Sequence, residues 1–172
     1  MLRARASPSP TPGSCVAERT PAAEAFWAAY RDAAGLGHDH YDVVAMGDSP
    51  ALADALAALI LDGPKRATAS LDRDYGEGRA PRPAPSDHVL VLDGAGRPRC
   101  IWRTTEVRIG PLVSVDDAFA RDEGEGDRSR AFWLAAHRGY FARQAEREGF
   151  VLTDEEPVIF ERFRLVRPRP DP

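Results

Sequence analysis

The chain has 172 residues, enough for one domain with a real core and too few for two of ordinary size. Its 43% hydrophobic and 8% aromatic content describes a soluble globular protein, and its net charge of −4 excludes a general polyanion binder, whose affinity grows with the phosphates it neutralises. No stretch reaches the ~18 apolar residues of a membrane span.

Residues 1–20 carry Arg3, Arg5 and Arg19 among Ser, Pro and Ala, without the apolar core of a secretory signal. They read as a disordered arm, and Pro8, Pro10 and Pro12 oppose the amphipathic helix of a transit peptide. Cys15 in this arm and Cys100 in a predicted strand show neither metal spacing nor a disulfide framework, which favours a reducing, cytoplasmic setting.

Thr20-Pro21 predicts a helix start, a hydroxyl cap followed by Pro where no N–H is needed. Phe26, Trp27 and Tyr30 give that helix an apolar side, and Gly35 ends it. A short extended piece, Tyr41 to Met46, precedes Asp48-Ser49-Pro50, which opens a second helix with Leu52, Leu56, Leu59 and Ile60 at helical spacing. Gly63 and Pro64 stop it, so Lys65 stands in the following turn and Thr68 enters the next element.

Residues 72–87, charged and rich in Gly and Pro, predict a long loop placed to cover a site. His88 to Leu92 and Arg99 to Ile109 predict two strands joined by a turn at Asp93-Gly94-Ala95-Gly96. Ser114 with Asp117 resembles a capping box for a short helix ending near Arg121. Asp127 is expected to cap a long helix to about Glu148, with Trp133, His137, Tyr140 and Phe141 on one side and Gly149 at its end. Val158 to Val166 predicts a last strand, and an Arg/Pro tail follows from residue 167. Helices, a separate hairpin, more helices and a strand argue for a mixed α+β fold, not a wound parallel sheet.

Every basic residue but one is arginine, and the exception is Lys65. An ammonium loses its proton when desolvated and then acts as a base; a guanidinium does not. A neutral Lys65 would take the proton of Thr68, three residues on, and make it a nucleophile. The competing reading is a lysine closing a helix C-terminus and a threonine starting a strand. Glu123, Glu125 and Asp127 form a second group, suited to orienting Lys65 or a water. Capping alone accounts for Asp127 and Glu125, while Glu123 lies too far ahead of the long helix to cap it. One acidic loop supplies too few ligands for a divalent cation, and no cofactor or zinc spacing is evident. His137 reads as a packing residue. Of Trp102, Trp133, Tyr140 and Tyr75, the loop residue Tyr75 is the best group to stack on a base.

Gly63-Pro64-Lys65-Arg66-Ala67-Thr68 resembles the G-x-K-x-x-T signature of the ASCH domain family. Met46-Gly47-Asp48, Pro85-Ser86-Asp87 and Phe119-Ala120-Arg121-Asp122-Glu123-Gly124-Glu125-Gly126-Asp127, followed by Trp133 and His137, resemble one subgroup of it. The resemblance spans roughly residues 24–166, within a domain read as 21–166. It implies a small PUA-like mixed β-barrel flanked by helices, and a role with RNA or RNA-derived nucleosides. Some members hydrolyse the amide of N4-acylated cytidines and others are assigned ribonuclease activity. In the amide hydrolases a Lys, a Thr and a Glu act together, which implies Lys65, Thr68 and Glu123 here; Arg66, Tyr75 and Glu125, close to them in the chain or in the covering loop, are the expected substrate-binding residues. Ser70 stands where many members carry Arg, and Ser86 where Gly is common. The expected activity is amide hydrolysis: Thr68 attacks, Lys65 takes its proton and later protonates the leaving amine, Glu123 polarises Lys65 or places the deacylating water, and backbone N–H groups near Gly63 to Thr68 hold the oxyanion. The alternatives are an RNA-binding module with Arg66, Arg73, Arg79 and Arg82 on one face, and a ribonuclease in which Lys65 stabilises a phosphorane.

Overall fold

The computed structural model describes residues 17–168. Residues 1–16, including Cys15, and residues 169–172 of the expected tail lie outside the described residues. Four α-helices and five strands follow in the order α1 (Pro21–Ala34), β1 (Asp42–Ala45), α2 (Pro50–Leu61), β2 (Ala67–Leu71), β3 (His88–Leu92), β4 (Pro98–Pro111), α3 (Asp117–Glu123), α4 (Arg130–Glu148) and β5 (Pro157–Arg167).

The strands make one sheet in the order β1-β3-β4-β5-β2. Only the β1–β3 pair is parallel; the hairpin β3–β4 and the pairs β4–β5 and β5–β2 are antiparallel. Register shifts in β4, between Ile101 and Trp102 and between Thr104 and Glu106, bend it so that one strand pairs along both β3 and β5. This is the mixed α+β arrangement expected.

The helix starts obey local rules. The Thr20 side chain accepts from Ala23 N (3.2 Å), with Pro21 in the first turn, and Gly35 closes α1 at φ 65°. The Ser49 side chain does the same for Leu52 N (3.3 Å) ahead of Pro50. Two expected caps are displaced. The cap of α3 is Asp116, accepting from Phe119 N (2.7 Å), and α3 continues to Glu123. Ser114 instead closes a 3-10 turn by donating to Pro111 O (2.6 Å). The cap of α4 is Ser129, accepting from Phe132 N (3.1 Å). Asp127 Oδ1 accepts from Ser129 N (2.8 Å), so Asp127 orders the residue that caps.

Helix α1 packs on one face of the sheet, where Trp27 meets Val43, Leu90, Leu92 and Ile101. Helix α2 covers the other face, with Leu56, Ala57 and Ile60 against Val89, Val91 and Trp102. Phe119 and Trp133, from α3 and α4, pack with Leu71, Leu112 and Phe160. The segment 72–87 is tied down more than a bare loop. It opens with a 3-10 turn, Asp72–Asp74, then a bridge between Tyr75 and Ala80 and a two-bond ion pair of Arg82 with Asp72. Among the described residues no helix is long and apolar enough to cross a membrane.

Candidate functional site

A cavity of about 290 Å³ lies between the sheet and the elements covering its α2 face. Its floor comes from all five strands: Asp42 and Val44 (β1), Thr68 and Ser70 (β2), Val89 (β3), Trp102 (β4) and Glu161 (β5). Leu52 and Leu56 of α2 and His137, Tyr140 and Arg143 of α4 wall it. Tyr75, Pro81 and Pro83 from the 72–87 segment close over it, as expected of that loop. Lys65, Glu123 and Glu125 complete the lining.

Lys65 is the chemical centre of the wall. Its side chain is 1% exposed and its Nζ meets Glu123 Oε2 at 3.0 Å and Glu125 Oε1 at 2.6 Å. A third acceptor, Glu123 O, lies at 3.4 Å, so each ammonium proton has a partner. Burial alone would pull the Lys65 pKa down; the charges of Glu123 and Glu125 outweigh it and hold the amine above its ordinary value. Lys65 is therefore an ammonium in this arrangement. Burial also pushes the two carboxyls up. For Glu123 the Lys65 charge overcomes it and holds the group well below the usual carboxylate range. For Glu125 burial prevails and its pKa is raised. One ammonium shared by two carboxylates ionises one fully and leaves the other the readier proton acceptor.

The local chain explains how these residues meet. Gly124 ends α3 at φ 74°, and a Cβ on it would lie 2.8 Å from Lys65 N, so only glycine lets the acidic segment approach the lysine turn. Arg66 N donates to Asp122 O (2.6 Å) and Lys65 N to Leu59 O (3.2 Å), fastening that turn to α3 and α2. Those two N–H groups, expected as oxyanion donors, are thus already engaged.

Thr68 lines the same cavity, half-buried, directly opposite Glu161 in the β2–β5 ladder. No hydrogen bond joins it to Lys65; the spacing places both on one cavity without pairing them. Glu125 contacts Lys65 directly and does more than complement a helix dipole. Tyr75 lines the cavity near Ser70, its hydroxyl 3.1 Å from Ser70 Oγ. Arg66 is turned away: its guanidinium donates to Ile60 O (3.0 Å) and Lys65 O (2.6 Å), closing the C-terminal end of α2. Arg73 pairs with Glu156 and Arg82 with Asp72, so with Arg66 three of the four arginines expected on one basic face are engaged within the fold.

Three cavity residues carried a weaker signal in the sequence. His137 is stacked on Trp133 (centroids 3.8 Å apart), as a packing histidine would be, but its Nε2 also lies 3.4 Å from Glu123 Oε1. Its Nδ1 donates to Trp133 O (3.0 Å), which orients the ring. Trp102, stacked on Phe163, lines the cavity, whereas Trp133 belongs to the core. Glu161 is 7% exposed, and its Oε1 accepts from Thr104 Oγ1 (2.5 Å) and Trp102 Nε1 (3.1 Å). The available signal was an acid sharing its strand face with the apolar Ile159, Phe163 and Leu165. Among the described residues no group of His, Cys, Asp and Glu side chains is arranged to hold a metal ion. Cys100 is fully buried, its thiol pushed up to about 12 by burial, and takes no part.

Solved structures similar to the chain include two ASCH-fold relatives. One is an ASCH domain from Lactobacillus crispatus JV V101, 29% identical, with a TM-score of 0.76 over 83% of this chain and 92% of that one. The other is a protein of Enterococcus faecalis V583, 28% identical, with a TM-score of 0.76 over 83% of this chain and 86% of that one. The fold is thus the PUA-like α+β architecture that the sequence implied. No curated protein matches the chain. The family model for the ASCH domain matches residues 42–167. That match begins at the first residue of β1 and ends at the last of β5, so it takes in the whole sheet, and the chain belongs to the ASCH domain family.

Proposed function

We propose that this protein is an amide hydrolase for small acylated nucleosides of the N4-acylcytidine type, with Thr68 as nucleophile and Lys65 as its proton relay. The observation that carries the reading is the buried Lys65 ammonium, held by Glu123 and Glu125 on the wall of a cavity that Thr68 also lines. A structural ion pair needs no cavity, and a strand threonine needs no buried lysine beside it.

At about 290 Å³ the cavity sits at the lower end of the ~300–1,000 Å³ usual for small-molecule sites, which favours a nucleoside-sized substrate over a strand of RNA. Met46, Leu52, Leu56 and Trp102 offer apolar surface to a planar ring and its acyl group. As Thr68 Oγ1 bonds to the acyl carbon, its proton passes to Lys65 as a lysine proton passes to Glu125 across the 2.6 Å contact. Burial favours the neutral acid at Glu125, so the relay has an end point. The cluster becomes one unit less negative just as the oxyanion forms beside it. Glu123 stays ionised and keeps Lys65 in place.

The test is purified protein assayed against a panel of N4-acylcytidines and, separately, labelled RNA. The expected result is release of cytidine and the free acid, abolished by Thr68→Val, with RNA left intact. RNA fragmentation without nucleoside turnover would replace this reading with a ribonuclease.

A further inference from the structure

The relay described above takes a proton from the nucleophile but supplies none to the departing amine. Lys65 ends the relay as an ammonium still held by Glu123 and Glu125, and the proton stored on Glu125 is the one Thr68 recovers when its ester is cleaved. An amine anion is a poor leaving group in any medium, so an acid is needed at another point of the cavity.

Glu161 is the buried acid there that the scheme has not used. It projects from the floor, on β5, while the lysine cluster is on the wall. Its Oε1 is occupied by two donors from β4, Thr104 Oγ1 and Trp102 Nε1. Its Oε2 has no hydrogen-bond partner among the described residues, so a proton on this carboxyl resides at Oε2. Thr68 is its direct cross-strand partner. Side chains so opposed stand about 4.5–5.5 Å apart at Cβ, on the same face of the sheet. An N4-acylcytosine presents the same juxtaposition: the scissile carbonyl carbon and the ring nitrogen N3 lie a few bonds apart along one planar edge. With the carbonyl carbon at Thr68, that edge faces Glu161.

We propose that Glu161 is the catalytic acid for the leaving group, donating its proton to the ring nitrogen of the acylated pyrimidine as the C–N bond breaks. The proposal rests on the amide-hydrolase reading and deepens it. As the tetrahedral intermediate collapses, the C–N4 electron pair goes to N4. The Oε2 proton goes to N3, and the base leaves as its neutral imino tautomer. Glu161 is now a carboxylate, Glu125 an acid and Thr68 an ester. Water then adds to the ester carbonyl, giving a proton to Glu161; the Thr68 oxygen leaves and recovers its own through Lys65 from Glu125. The sum is amide plus water to amine plus carboxylic acid, with each group returned to its starting state.

The charge environment suits the part. Burial pushes the Glu161 pKa up to about 7, the hydrogen bonds from Thr104 and Trp102 pulling down and the charges of Asp87 and Asp42 adding to the lift. An acid balanced near neutrality both gives and regains a proton.

The test compares wild type and Glu161→Gln on N4-acetylcytidine and on 4-nitrophenyl acetate, whose leaving group needs no proton. Gln keeps the acceptor for Thr104 and Trp102 but has no proton to release. The expected result is a fall in kcat on the amide of ~10²-fold, the usual scale for a lost general acid, with KM little changed, while the pre-steady-state burst of 4-nitrophenolate, which reads acylation of Thr68 alone, keeps its wild-type rate. An undiminished kcat on the amide, or a burst rate of 4-nitrophenolate that falls as far as the amide rate, overturns the proposal. A second measurement needs no variant: wild-type turnover of N4-acetyl derivatives of cytidine and 5-fluorocytidine. Proton donation in the step makes the two rates nearly equal, and a steep preference for the fluorinated base overturns it. Wild-type turnover with either adverse result sinks only the role of Glu161; no wild-type turnover of any acylcytidine sinks the hydrolase reading itself.

Discussion

Lys65 Nζ lies 3.0 Å from Glu123 Oε2, and each of the two side chains is only 1% exposed. The pair is thus structural as well as chemical. Glu123 lies too far ahead of α4 to cap it, yet its burial against Lys65 gives it a part in stability. Removing the cation by Lys65→Met leaves the buried Glu123 and the half-buried Glu125 without a counter-charge, which costs about 3–5 kcal/mol. Glu123→Gln costs less, because Glu125 still pairs with the ammonium. Thermal melts should rank the proteins wild type, Glu123→Gln, Lys65→Met in falling order. Acidification should narrow the deficit of Lys65→Met, since protonating its carboxyls removes the unpaired charge. A Lys65→Met protein that melts with wild type contradicts the buried pair.

Lys65→Arg separates charge from proton transfer. The guanidinium keeps a positive charge between Glu123 and Glu125 but yields no proton at working pH. Turnover of an acylcytidine should fall by ~10²-fold or more. Retained turnover would mean that the residue at 65 serves only as a fixed charge.

Ser129 and Asp127 have exchanged the roles their order suggested. Ser129→Ala should cost about 1 kcal/mol, the usual loss for an N-cap. Asp127→Ala removes only the bond from Ser129 N and should cost clearly less. Chemical denaturation of both variants checks the ranking, and the reverse order would return the cap to Asp127.

The buried carboxyl of Glu161 carries a pH signature. Its pKa rises from 4.5 to about 7 on folding, so the folded state binds the proton more tightly than the unfolded. Stability from this group is present in full below about pH 4.5 and is lost as pH rises through about 7. The total is on the order of 3 kcal/mol at most, by the conversion of ~1.4 kcal/mol per pKa unit. Glu161→Gln should flatten the stability curve between those limits, as measured by urea unfolding at a series of pH values. An unchanged slope would show that the carboxyl titrates as it does in the unfolded chain.

Ser86 has a φ of 86°, a region that L residues adopt at a cost, and it accepts a hydrogen bond from Arg103 (2.6 Å). Glycine reaches this region of backbone space without that cost. Ser86→Gly should relieve strain of about 1 kcal/mol, partly offset by the lost bond and the greater freedom of the unfolded chain. A small rise in Tm is expected; a clear fall would mean that the Arg103 contact outweighs the strain.

The ends of α1 and α2 were legible in the sequence because capping is local: Thr20 bonds Ala23 and Ser49 bonds Leu52, each three residues on. The same locality misled at α3 and α4, where neighbouring Ser and Asp residues compete for the cap and only the path of the chain decides between them. The lone lysine, the threonine after it and the acidic segment were also visible as residue types at fixed spacing. Which carboxylates reach Lys65 was not, since those contacts span 58 and 60 residues. Nor was Glu161, whose partners on β4 lie 57 and 59 residues away. Sequence by itself determined the caps of α1 and α2, because a Pro directly after the hydroxyl residue fixes where each helix starts. Only the tertiary structure decided which charges share a cavity, because burial and long-range pairing, not residue type, set how a charged group behaves.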